Sequence, residues 1–483
     1  MSPTDIDVLI IGAGLSGIGA ACMLSRKAPK ERVLILEARD AIGGTWDLFR
    51  YPGIRSDSDM FTLGYIFKPW VGDKALADGP SIRRYVQEAA AEHGVTDKIR
   101  FGHKVIAANW SSAEQRWEVR ARRAEDGEEQ LFYSRFLHCC SGYYNYDQGY
   151  QPDYPGLADF GGRMVHPQHW PDDLDYSGQR VVVIGSGATA VTLVPAMSDK
   201  AAKVTMLQRS PSYILSLPQQ DPIARFLRRV LPARWAYSLT RWKNVFISLG
   251  LFHFARKRPV AMRGLLRKGV RKALGPEYPV DVHFKPSYQP WDQRLCFVPD
   301  GDLFRALRSG KAEVVTDRIA RFVPEGIALE SGKTLQADIV VSATGLDLQF
   351  IGGAELSVDG QPVPLHESYV YRGMMIQNVP NFVFTVGYTN ASWTLKADLV
   401  ASFVCRLRNH MRRHGHLQAT PRLHDPSVQP EPLIDFSSGY VQRALDRLPQ
   451  QGSKAPWKLF QNYLRDRLLL RFGRLEDGAM EFS

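Results

Sequence analysis

Two glycine-rich stretches of this chain have the spacing that lets a protein backbone approach a phosphate group closely. They are Gly12-Ala13-Gly14-Leu15-Ser16-Gly17 and Gly185-Ser186-Gly187-Ala188-Thr189-Ala190, and each follows an apolar run that predicts a strand. The first glycine makes the turn, the second lets the backbone approach a pyrophosphate, the third permits close helix–strand packing, and the helix N-terminus attracts the anion. One match is a weak signal, but two in register with predicted strands indicate that the chain holds two dinucleotides.

The residues that follow each fingerprint distinguish the two dinucleotides. A predicted strand over residues 32–36 ends in Glu37, whose carboxylate is placed to accept hydrogen bonds from a ribose diol, as in sites for FAD or NAD. A second strand over residues 203–207 ends in Gln208-Arg209-Ser210, where no carboxylate repels a 2′-phosphate and Arg209 can pair with one. We therefore predict NADPH at the second site; the alternative is that Arg209 is a solvated surface charge.

Length and cysteine usage indicate a large cytoplasmic enzyme. At 483 residues the chain is too long for one compact core, so two or three domains are expected. Its five cysteines are odd in number and scattered, which predicts reduced thiols. The chain enters the first predicted strand almost at once, so no signal peptide is expected, and the longest apolar stretch, residues 244–255, is too short to span a bilayer.

One segment makes the protein basic. Between Arg225 and Lys272 there are fourteen Lys or Arg and no Asp or Glu, which exceeds the net charge of +11 of the whole chain. No nucleic-acid-binding motif accompanies this segment, so nucleic acid is not a predicted partner. Aromatic residues lie among the cations, as on an amphipathic surface for anionic lipid. The sequence leaves two interpretations open: peripheral membrane contact, or a helical lid whose basic face is merely solvated or neutralises the acidic cofactors.

The predicted fold class is α/β, with two doubly wound, Rossmann-like dinucleotide-binding domains and a helical insert. The doubled nucleotide unit and a later apolar strand that returns to the first unit predict nested domains with two chain crossings. The expected division is residues 1–145 and 376–483 for FAD, residues 146–211 and 301–375 for NADPH, and residues 212–300 for the basic helical insert.

A short signature between the fingerprints makes a family resemblance specific. Residues 160–171 match the pattern F-x-G-x-x-x-H-x-x-x-W-P, through Phe160, Gly162, His166, Trp170 and Pro171. On these residues the chain resembles the Baeyer–Villiger monooxygenases, which are class B flavoprotein monooxygenases that use FAD and NADPH. Tracts at residues 143–146, 166–171 and 290–294 further resemble the subgroup of the mycobacterial ethionamide-activating monooxygenase. The likeness runs over nearly the whole chain.

The resemblance implies oxygenation by a flavin C4a-peroxide, formed from reduced FAD and O2. It places the cation that stabilises the peroxyanion at Arg294, and it aligns Asp57 with the active-site aspartate that orients this cation. The alternative for the pair is an ordinary interdomain ion pair. Gln293 stands where the family often has lysine, so Arg209 is expected to carry more of the cofactor selectivity. No metal site is predicted, because His166 and His169 have no supporting Cys or Glu cluster.

The same resemblance assigns further cofactor contacts. It implies flavin contacts for the loop residues Gly44, Thr45, Trp46, Asp47 and Leu48, and a cofactor contact for Asp57. It implies nicotinamide contacts for Arg55 and Ser56, and a backbone contact to adenine for Val105. Trp393 reaches the nicotinamide ribose or belongs to the core.

The leading predicted reaction converts small apolar ketones to esters. Oxygenation of thioethers or thioamides by the same intermediate is the close alternative. Two rivals from other classes are an uncoupled NADPH oxidase that releases hydrogen peroxide and a catalytically silent nucleotide-binding protein of the membrane surface. The oligomeric state is not predicted.

Overall fold

The computed structural model describes residues 6–293, 295–434 and 437–483. Its larger sheet carries the first glycine fingerprint, directly after the strand Ile6–Ile11. This strand pairs in parallel on both sides, and its burial on both faces explains its continuous apolar run. The nine strands of this sheet are, in chain order, Ile6–Ile11, Val33–Leu36, Ile99–Arg100, His103–Ser111, Arg116–Arg123, Glu129–Cys139, Glu355–Val358, Gln361–Pro362 and Phe382–Phe384.

The long strand Glu129–Cys139 joins two parts of the larger sheet. Its first half pairs antiparallel with Arg116–Arg123, and its second half lies parallel to Ile6–Ile11 on one side and to Phe382–Phe384 on the other. The strand predicted to return to the first unit is therefore present. The helix Leu15–Lys27 packs between this sheet and the helix Trp393–His414.

The smaller sheet carries the second glycine fingerprint, directly after its central strand. All five of its strands are parallel and mostly buried, as expected of a sheet covered on both faces. Their spatial order is Ala312–Thr316, Lys203–Gln208, Arg180–Ile184, Ile339–Ser342 and Arg163–Val165. Helices Ala188–Met197 and Asp302–Arg308 pack on it. The predicted α/β fold class with two Rossmann-like sheets is confirmed.

The segment 212–300, predicted to be a helical insert, is mainly helical but not wholly so. Strands Ile214–Leu217 and Cys296–Pro299, near its two ends, pair in parallel, so the helical excursion leaves and returns at one place. Between these strands lie the helices Pro222–Val230, Ala233–Lys257, Pro259–Leu274 and Val280–His283. Among the described helices, none is both long and apolar enough to cross a membrane.

Shorter elements complete the chain. The remaining helices are Thr45–Leu48, Met60–Leu63, Gly79–Glu92, Gly439–Gln442 and Tyr463–Phe472. A small antiparallel sheet consists of Ile319–Val323, Gly326–Leu329 and Thr334–Gln336. Two-stranded pairings join Val370–Tyr371 to Met375–Ile376, Ala419–Pro421 to Met480–Phe482, and Pro430–Pro432 to Gln450–Gly452. All five cysteines are buried, and the structure records no disulfide among them.

Candidate functional site

One cavity of about 1200 Å³ lies between the two sheets, and both glycine turns open into it. Most of the residues singled out from the sequence lie on its wall, although they come from distant parts of the chain. Those that line it are Gly12, Gly14, Ser16, Glu37, Gly44, Thr45, Trp46, Arg55, Ser56, Asp57, Val105, Gly185, Ser186, Gly187, Ala188, Thr189, Arg209 and Ser210.

The first glycine turn is shaped as a phosphate cradle. Gly12 has a φ of +100°, and a Cβ there would lie 2.8 Å from the carbonyl oxygen of Cys140. A Cβ on Gly17 would lie 1.8 Å from the carbonyl oxygen of Gly12, so this glycine serves packing and does not line the cavity. The helix Leu15–Lys27 begins without a side-chain cap, which leaves first-turn N–H groups for an anion. These features fit a dinucleotide pyrophosphate.

The second glycine turn repeats this geometry. Gly185 has a φ of +134°, and a Cβ there would lie 2.3 Å from the carbonyl oxygen of Ala343. Gly187 precedes the helix Ala188–Met197, which also begins without a side-chain cap, and a Cβ on Gly187 would meet nothing within 4 Å. Ala190 is fully buried in the apolar core of the smaller sheet and does not line the cavity. The open space in front of an uncapped helix fits a second pyrophosphate.

Glu37 is buried at the end of its strand and holds the first glycine turn in place. Its Oε2 accepts a hydrogen bond from the backbone N–H of Ala13 at 2.6 Å, and its Oε1 accepts one from that of Arg39 at 2.9 Å. Burial raises the pKa of Glu37, against the effect of these two hydrogen bonds. A carboxylate has about four acceptor positions, so Glu37 retains capacity for the predicted ribose diol.

The predicted flavin loop lies directly against the first glycine turn. The N–H of Gly43 donates to the carbonyl oxygen of Ala13 at 3.2 Å. Gly44 has a φ of +57°, and a Cβ there would lie 2.9 Å from the Cα of Gly14. Only glycines allow the two backbones to approach so closely, which brings Trp46 to the cavity wall beside the cradle.

Two residues of that loop lie behind the wall instead of on it. The side chain of Asp47 is fully buried, and its carboxylate pairs with Arg39 at 2.6 Å and with Arg83 at 3.0 Å. Leu48 packs in the apolar core of the smaller sheet. The side chains of Asp47 and Leu48 therefore brace the loop, and their predicted contact with the flavin stays a prediction.

Residues 51–57 form a seam between the two sheets. Buried Tyr51 interacts through its hydroxyl with Thr189, at the start of the second fingerprint helix, and burial raises the pKa of Tyr51 to about 12. The guanidinium of Arg55 binds the carboxylate of Asp302 through Nη1, and both side chains are mostly buried. Ser56 is buried, and its hydroxyl accepts from the N–H of Ser58 at 3.0 Å. The seam thus presents Arg55, Ser56 and Asp57 to the cavity from a fixed backbone.

Of the predicted catalytic pair, only Asp57 lies among the described residues. Asp57 lines the cavity, as do Gln293 and Cys296 on either side of position 294. Arg294 itself lies outside the described residues. The neighbouring Asp59 has a structural role, because its carboxylate caps the helix Met60–Leu63 and accepts from Asn244 at 2.8 Å.

Val105 follows His103 and Lys104 at the edge of the cavity. It is buried on the strand His103–Ser111, and all three residues line the wall. The N–H of His103 donates to the carbonyl oxygen of Glu37 at 2.8 Å, which fixes this strand beside the end of the strand Val33–Leu36. The geometry fits the predicted adenine contact.

The signature residues are not on the cavity wall. Phe160 packs edge-on against Phe322 with ring centroids 5.7 Å apart, and a Cβ on Gly162 would lie 2.4 Å from the carbonyl oxygen of Asp338. Trp170 packs against the core of the smaller sheet, and Pro171 follows it at the end of the signature. These residues attach the signature to the smaller sheet.

His166 and Gln168 connect the signature to the linker that precedes it, residues 143–156. His166 accepts from the N–H of Gln168 at 3.2 Å, and the Gln168 amide donates to the carbonyl oxygen of Asn145 at 2.7 Å. Burial lowers the pKa of His166, so the ring is neutral near pH 7. In the described part of the chain, no group of three or more His, Cys, Asp or Glu is arranged to hold a metal ion.

Sequence reasoning missed one cation that lines the cavity near Arg209. Arg318 lines the cavity together with Arg209, because each follows one of two paired strands, Lys203–Gln208 and Ala312–Thr316. The pairing of Gln208 with Thr316 brings both strand ends to the same edge. Only the strand order could have revealed Arg318, and one sequence does not give that order.

An aromatic wall faces the first fingerprint. The indole Nε1 of Trp393 donates to the hydroxyl of Ser16 at 2.7 Å, and the indole stacks on Tyr143 with centroids 5.1 Å apart. Both rings line the cavity, as does Trp46. Trp393 is therefore a wall residue rather than a core residue. Tyr143, which belongs to a tract used above only for the subgroup resemblance, is a further lining residue.

Two family models match this chain. Residues 76–233 match the family described as flavin-binding monooxygenase-like, and residues 10–67 match the NAD(P)-binding Rossmann-like domain. The second match contains the first fingerprint.

Known proteins are similar over the whole chain. The FAD-containing monooxygenase EthA of Mycobacterium tuberculosis (strain ATCC 25618 / H37Rv) is 53% identical over 479 residues, covering 99% of this chain and 98% of EthA. EthA of Mycolicibacterium smegmatis is 52% identical, covering 99% and 97%.

Solved structures show the same fold at low identity. An oxidized steroid monooxygenase bound to NADP aligns with a TM-score of 0.76 at 21% identity, over 99% of each chain. Cyclohexanone monooxygenase in an open form aligns with a TM-score of 0.76 at 19% identity, over 99% of this chain and 100% of that one. Together with the EthA relatives, these findings confirm the predicted family: the chain belongs to the FAD-containing class B flavoprotein monooxygenases.

Proposed function

We propose that this monooxygenase inserts one oxygen atom of O2 into apolar ketones to give esters, with FAD and NADPH as cofactors. The balanced reaction consumes one ketone, O2, NADPH and a proton, and yields one ester, NADP⁺ and water. The observation that carries the proposal is the convergence of two phosphate cradles and the seam at residues 55–57 on a single cavity. When bound there, NADPH supplies a hydride to FAD, and the reduced flavin activates O2.

The two cradles divide the cofactors between the sheets. The larger sheet would hold FAD on the first cradle, Glu37 and the Trp46 loop, and the smaller sheet would hold NADPH on the second cradle. This assignment rests on the carboxylate that ends one strand and on Arg209 at the end of the other. The strands Glu355–Val358 and Gln361–Pro362 belong to the larger sheet, although the sequence groups them with the NADPH unit at residues 301–375.

Arg55 supports the placement of nicotinamide at the seam. Its Nη1 binds Asp302, but its buried Nη2 has no hydrogen-bond partner among the described residues, although Arg55 lines the cavity. An unsatisfied buried donor of a guanidinium is costly, so a partner from a bound molecule is expected. A polar group of the nicotinamide half of NADPH would supply that acceptor.

Asp57 and Arg294 would manage the charge that develops during oxygen transfer. A guanidinium at position 294 would stabilise negative charge on the reacting oxygen atoms, and the Asp57 carboxylate would orient it. Asp57, Gln293 and Cys296 all line the cavity, which supports this assignment. The aromatic wall of Trp46, Tyr143 and Trp393 favours an apolar substrate and excludes water from the reaction.

The test measures NADPH consumption, hydrogen peroxide and product together across linear ketones, cyclic ketones and thioethers. Ester formed in proportion to NADPH supports the proposal. Sulfoxide without ester would move the assignment to sulfur oxygenation, and peroxide without product would favour an NADPH oxidase.

A substitution at position 294 tests the catalytic assignment separately. Arg294→Ala should abolish ester formation, because the developing negative charge loses its stabilising cation, while NADPH still reduces bound FAD. Arg308→Ala, at an exposed arginine outside the cavity lining, is the matched control and should leave both steps unchanged. If Arg294→Ala removed flavin reduction and ester formation equally, the assigned role would be wrong.

A further inference from the structure

The short helix Pro222–Val230 presents its apolar face to solvent instead of to the core. Ile223, Phe226 and Val230 follow helical spacing on one stripe, and their side chains are 53%, 61% and 55% exposed. Ala224 is the one buried residue of this helix. Amphipathic helices of globular proteins normally bury such a stripe, so this orientation indicates a surface that is covered by something else.

The next helix, Ala233–Lys257, continues the exposed apolar surface. Trp235 is 67% exposed, and Leu239 and Phe246 lie on the same face at 46% and 57% exposure. The two helices pack against each other, so the stripes belong to neighbouring elements. Of the seventeen exposed large apolar side chains among the described residues, ten lie between Ile223 and Leu265, so such side chains are concentrated in this segment. We call the exposed side chains on the aligned stripes of the two helices the insert surface; they are Ile223, Phe226, Val230, Trp235, Leu239 and Phe246.

The helices of the insert carry many cations without matching carboxylates. Six of the fourteen Lys and Arg between Arg225 and Lys272 pair with carboxylates. The other eight have no carboxylate within 4.0 Å among the described residues, and they are Arg225, Arg229, Arg234, Lys257, Arg258, Arg263, Lys268 and Lys272. All of these except Arg263 are exposed. The unpaired charge calls for an anionic partner.

We propose that the insert surface docks on an anionic lipid bilayer. Exposed aromatic and aliphatic stripes among Arg and Lys on surface helices are the pattern that lies in the headgroup region, with the apolar side chains inserted and the cations on lipid phosphates. A second copy of the chain is a poorer match, since two such surfaces face to face would bring sixteen unpaired cations together, eight from each copy.

The inner faces of the helices Ala233–Lys257 and Pro259–Leu274 connect the insert to the cavity. Ala255 and Met262 pack in one apolar cluster with Trp291 and Leu295. That stretch is continuous with Gln293 and Cys296, which line the cavity. Docking would therefore place the wall of the site close to the membrane, from which an apolar substrate can enter. The docking itself does not depend on the proposed reaction.

Vesicle flotation of the FAD-loaded full chain tests the proposal. The probes are vesicles of phosphatidylcholine alone and vesicles with about one third phosphatidylglycerol, at about 0.05 M and about 0.5 M salt. We expect flotation with the anionic vesicles at low salt, less at high salt, and little with phosphatidylcholine alone. No flotation with anionic vesicles at low salt would overturn the proposal.

Two sets of variants separate the apolar and charged contributions. Phe226→Asp with Val230→Asp should lower partitioning roughly tenfold or more, because it removes inserted side chains and adds negative charge. Arg225→Gln, Arg229→Gln and Arg234→Gln together should lower mainly the salt-sensitive part. Leu131→Asp, at an exposed residue on a strand of the larger sheet, is the matched control and should change nothing.

Measurements of folding and of oligomeric state distinguish a loss of lipid binding from other effects of the variants. Bound FAD and thermal midpoint report whether each variant folds, independently of vesicles and of activity. If the Phe226 and Val230 variant folds and floats as well as the parent, the proposal is wrong. The lipid assignment is also wrong if the parent does not float with vesicles and elutes as a dimer on size exclusion, while that variant elutes as a monomer. The surface would then join two copies of the chain.

Discussion

Arg209 is exposed at the carboxyl end of the strand Lys203–Gln208 and lines the cavity. No acidic residue follows this strand directly, in contrast to Glu37 at the end of the strand Val33–Leu36. Arg318 lies at the end of the neighbouring strand and adds a second positive charge to the same edge. At the scale of residues, NADPH selectivity would therefore depend on one or both of these arginines.

Arg209→Ala should raise the KM for NADPH about tenfold and leave the KM for NADH nearly unchanged, because one charge-assisted bond to the 2′-phosphate is lost. Steady-state kinetics with both nucleotides measure this. Arg318→Ala, made alone and together with Arg209→Ala, shows whether the two arginines share the phosphate. Equal effects on NADPH and NADH would contradict the assignment.

His138 makes stability depend on pH. It is completely buried on the strand Glu129–Cys139, its Nε2 lies 2.9 Å from the hydroxyl oxygen of Thr385, and burial lowers its pKa from 6.5 to about 3. Between these two pKa values the unfolded chain binds a proton that the folded chain does not, so the free energy of unfolding falls as the pH falls below about 6.5.

His138→Gln should therefore flatten the fall in the free energy of unfolding between pH 6.5 and pH 5, because an amide does not titrate. Chemical denaturation at several pH values measures the slope. His424→Gln is the control, since His424 has a side chain that is 61% exposed. A slope as steep as that of the parent would show that other groups cause the acid sensitivity.

At the scale of elements, one buried cation anchors the insert to the larger sheet. Arg241, on the helix Ala233–Lys257, binds the carboxylate of Asp398 at 3.0 Å, on the helix Trp393–His414. Its Nη1 also donates to the carbonyl oxygens of Phe61 and Gly64 at 2.8 and 2.6 Å. The inner side of this helix is thus fixed by polar contacts, while its outer side carries the insert surface.

Asp398→Asn should lower the free energy of unfolding by about 3 kcal/mol or more, because it leaves the buried charge of Arg241 without a counter-ion. Arg241→Met should lower the free energy of unfolding at least as much, since it also leaves buried backbone carbonyls without a hydrogen-bond donor. Asp173→Asn, which breaks an exposed pair with Arg163, should cost less than about 1 kcal/mol. Denaturant titrations compare the three, and equal losses would contradict the role of burial.

The elements that the sequence predicts best are those with a local signal. Gly12 and Gly185 stand after apolar runs, so strand, turn and helix could be placed from spacing alone, and Glu37 follows from the same pattern. The buried pairs of Asp47 with Arg39 and Arg83 could not be predicted, because they are tertiary contacts. Periodicity likewise cannot tell whether the apolar stripe of Pro222–Val230 faces a core or solvent, because burial depends on neighbours that the pattern does not show.

The signature illustrates the same limit at the scale of the whole molecule. Its pattern identifies the family, but His166 and its neighbours lie off the cavity wall, where they join the linker to the smaller sheet. When two cofactors exchange a hydride, the sheets that bind them must be held at a fixed distance and orientation. A pattern can therefore be diagnostic of a function without containing a residue that contacts the reacting atoms.

The distance and orientation between the two sheets depend on how closely the seam, residues 51–57, packs on the smaller sheet. Gly53 has a φ of +77°, and a Cβ there would lie 2.6 Å from the Cβ of Ala196 and 3.1 Å from the carbonyl oxygen of Thr192. Both residues belong to the helix Ala188–Met197, whose N-terminus forms the second cradle. A methyl group at Gly53 would therefore push the seam away from this helix and from the nicotinamide that the seam is proposed to contact.

Gly53→Ala should raise the dissociation constant for NADPH roughly tenfold and leave bound FAD unchanged, because a displacement of the seam disturbs only the second site. Gly178→Ala is the matched control, since Gly178 also has a positive φ, of +68°, but a Cβ there would meet nothing within 4 Å. Both variants carry a backbone strain of about 1–2 kcal/mol, so both should lower the thermal midpoint. Titration of NADPH onto the FAD-loaded variants then separates strain from displacement: if the two variants bind NADPH equally well, the seam does not set the relation between the sheets.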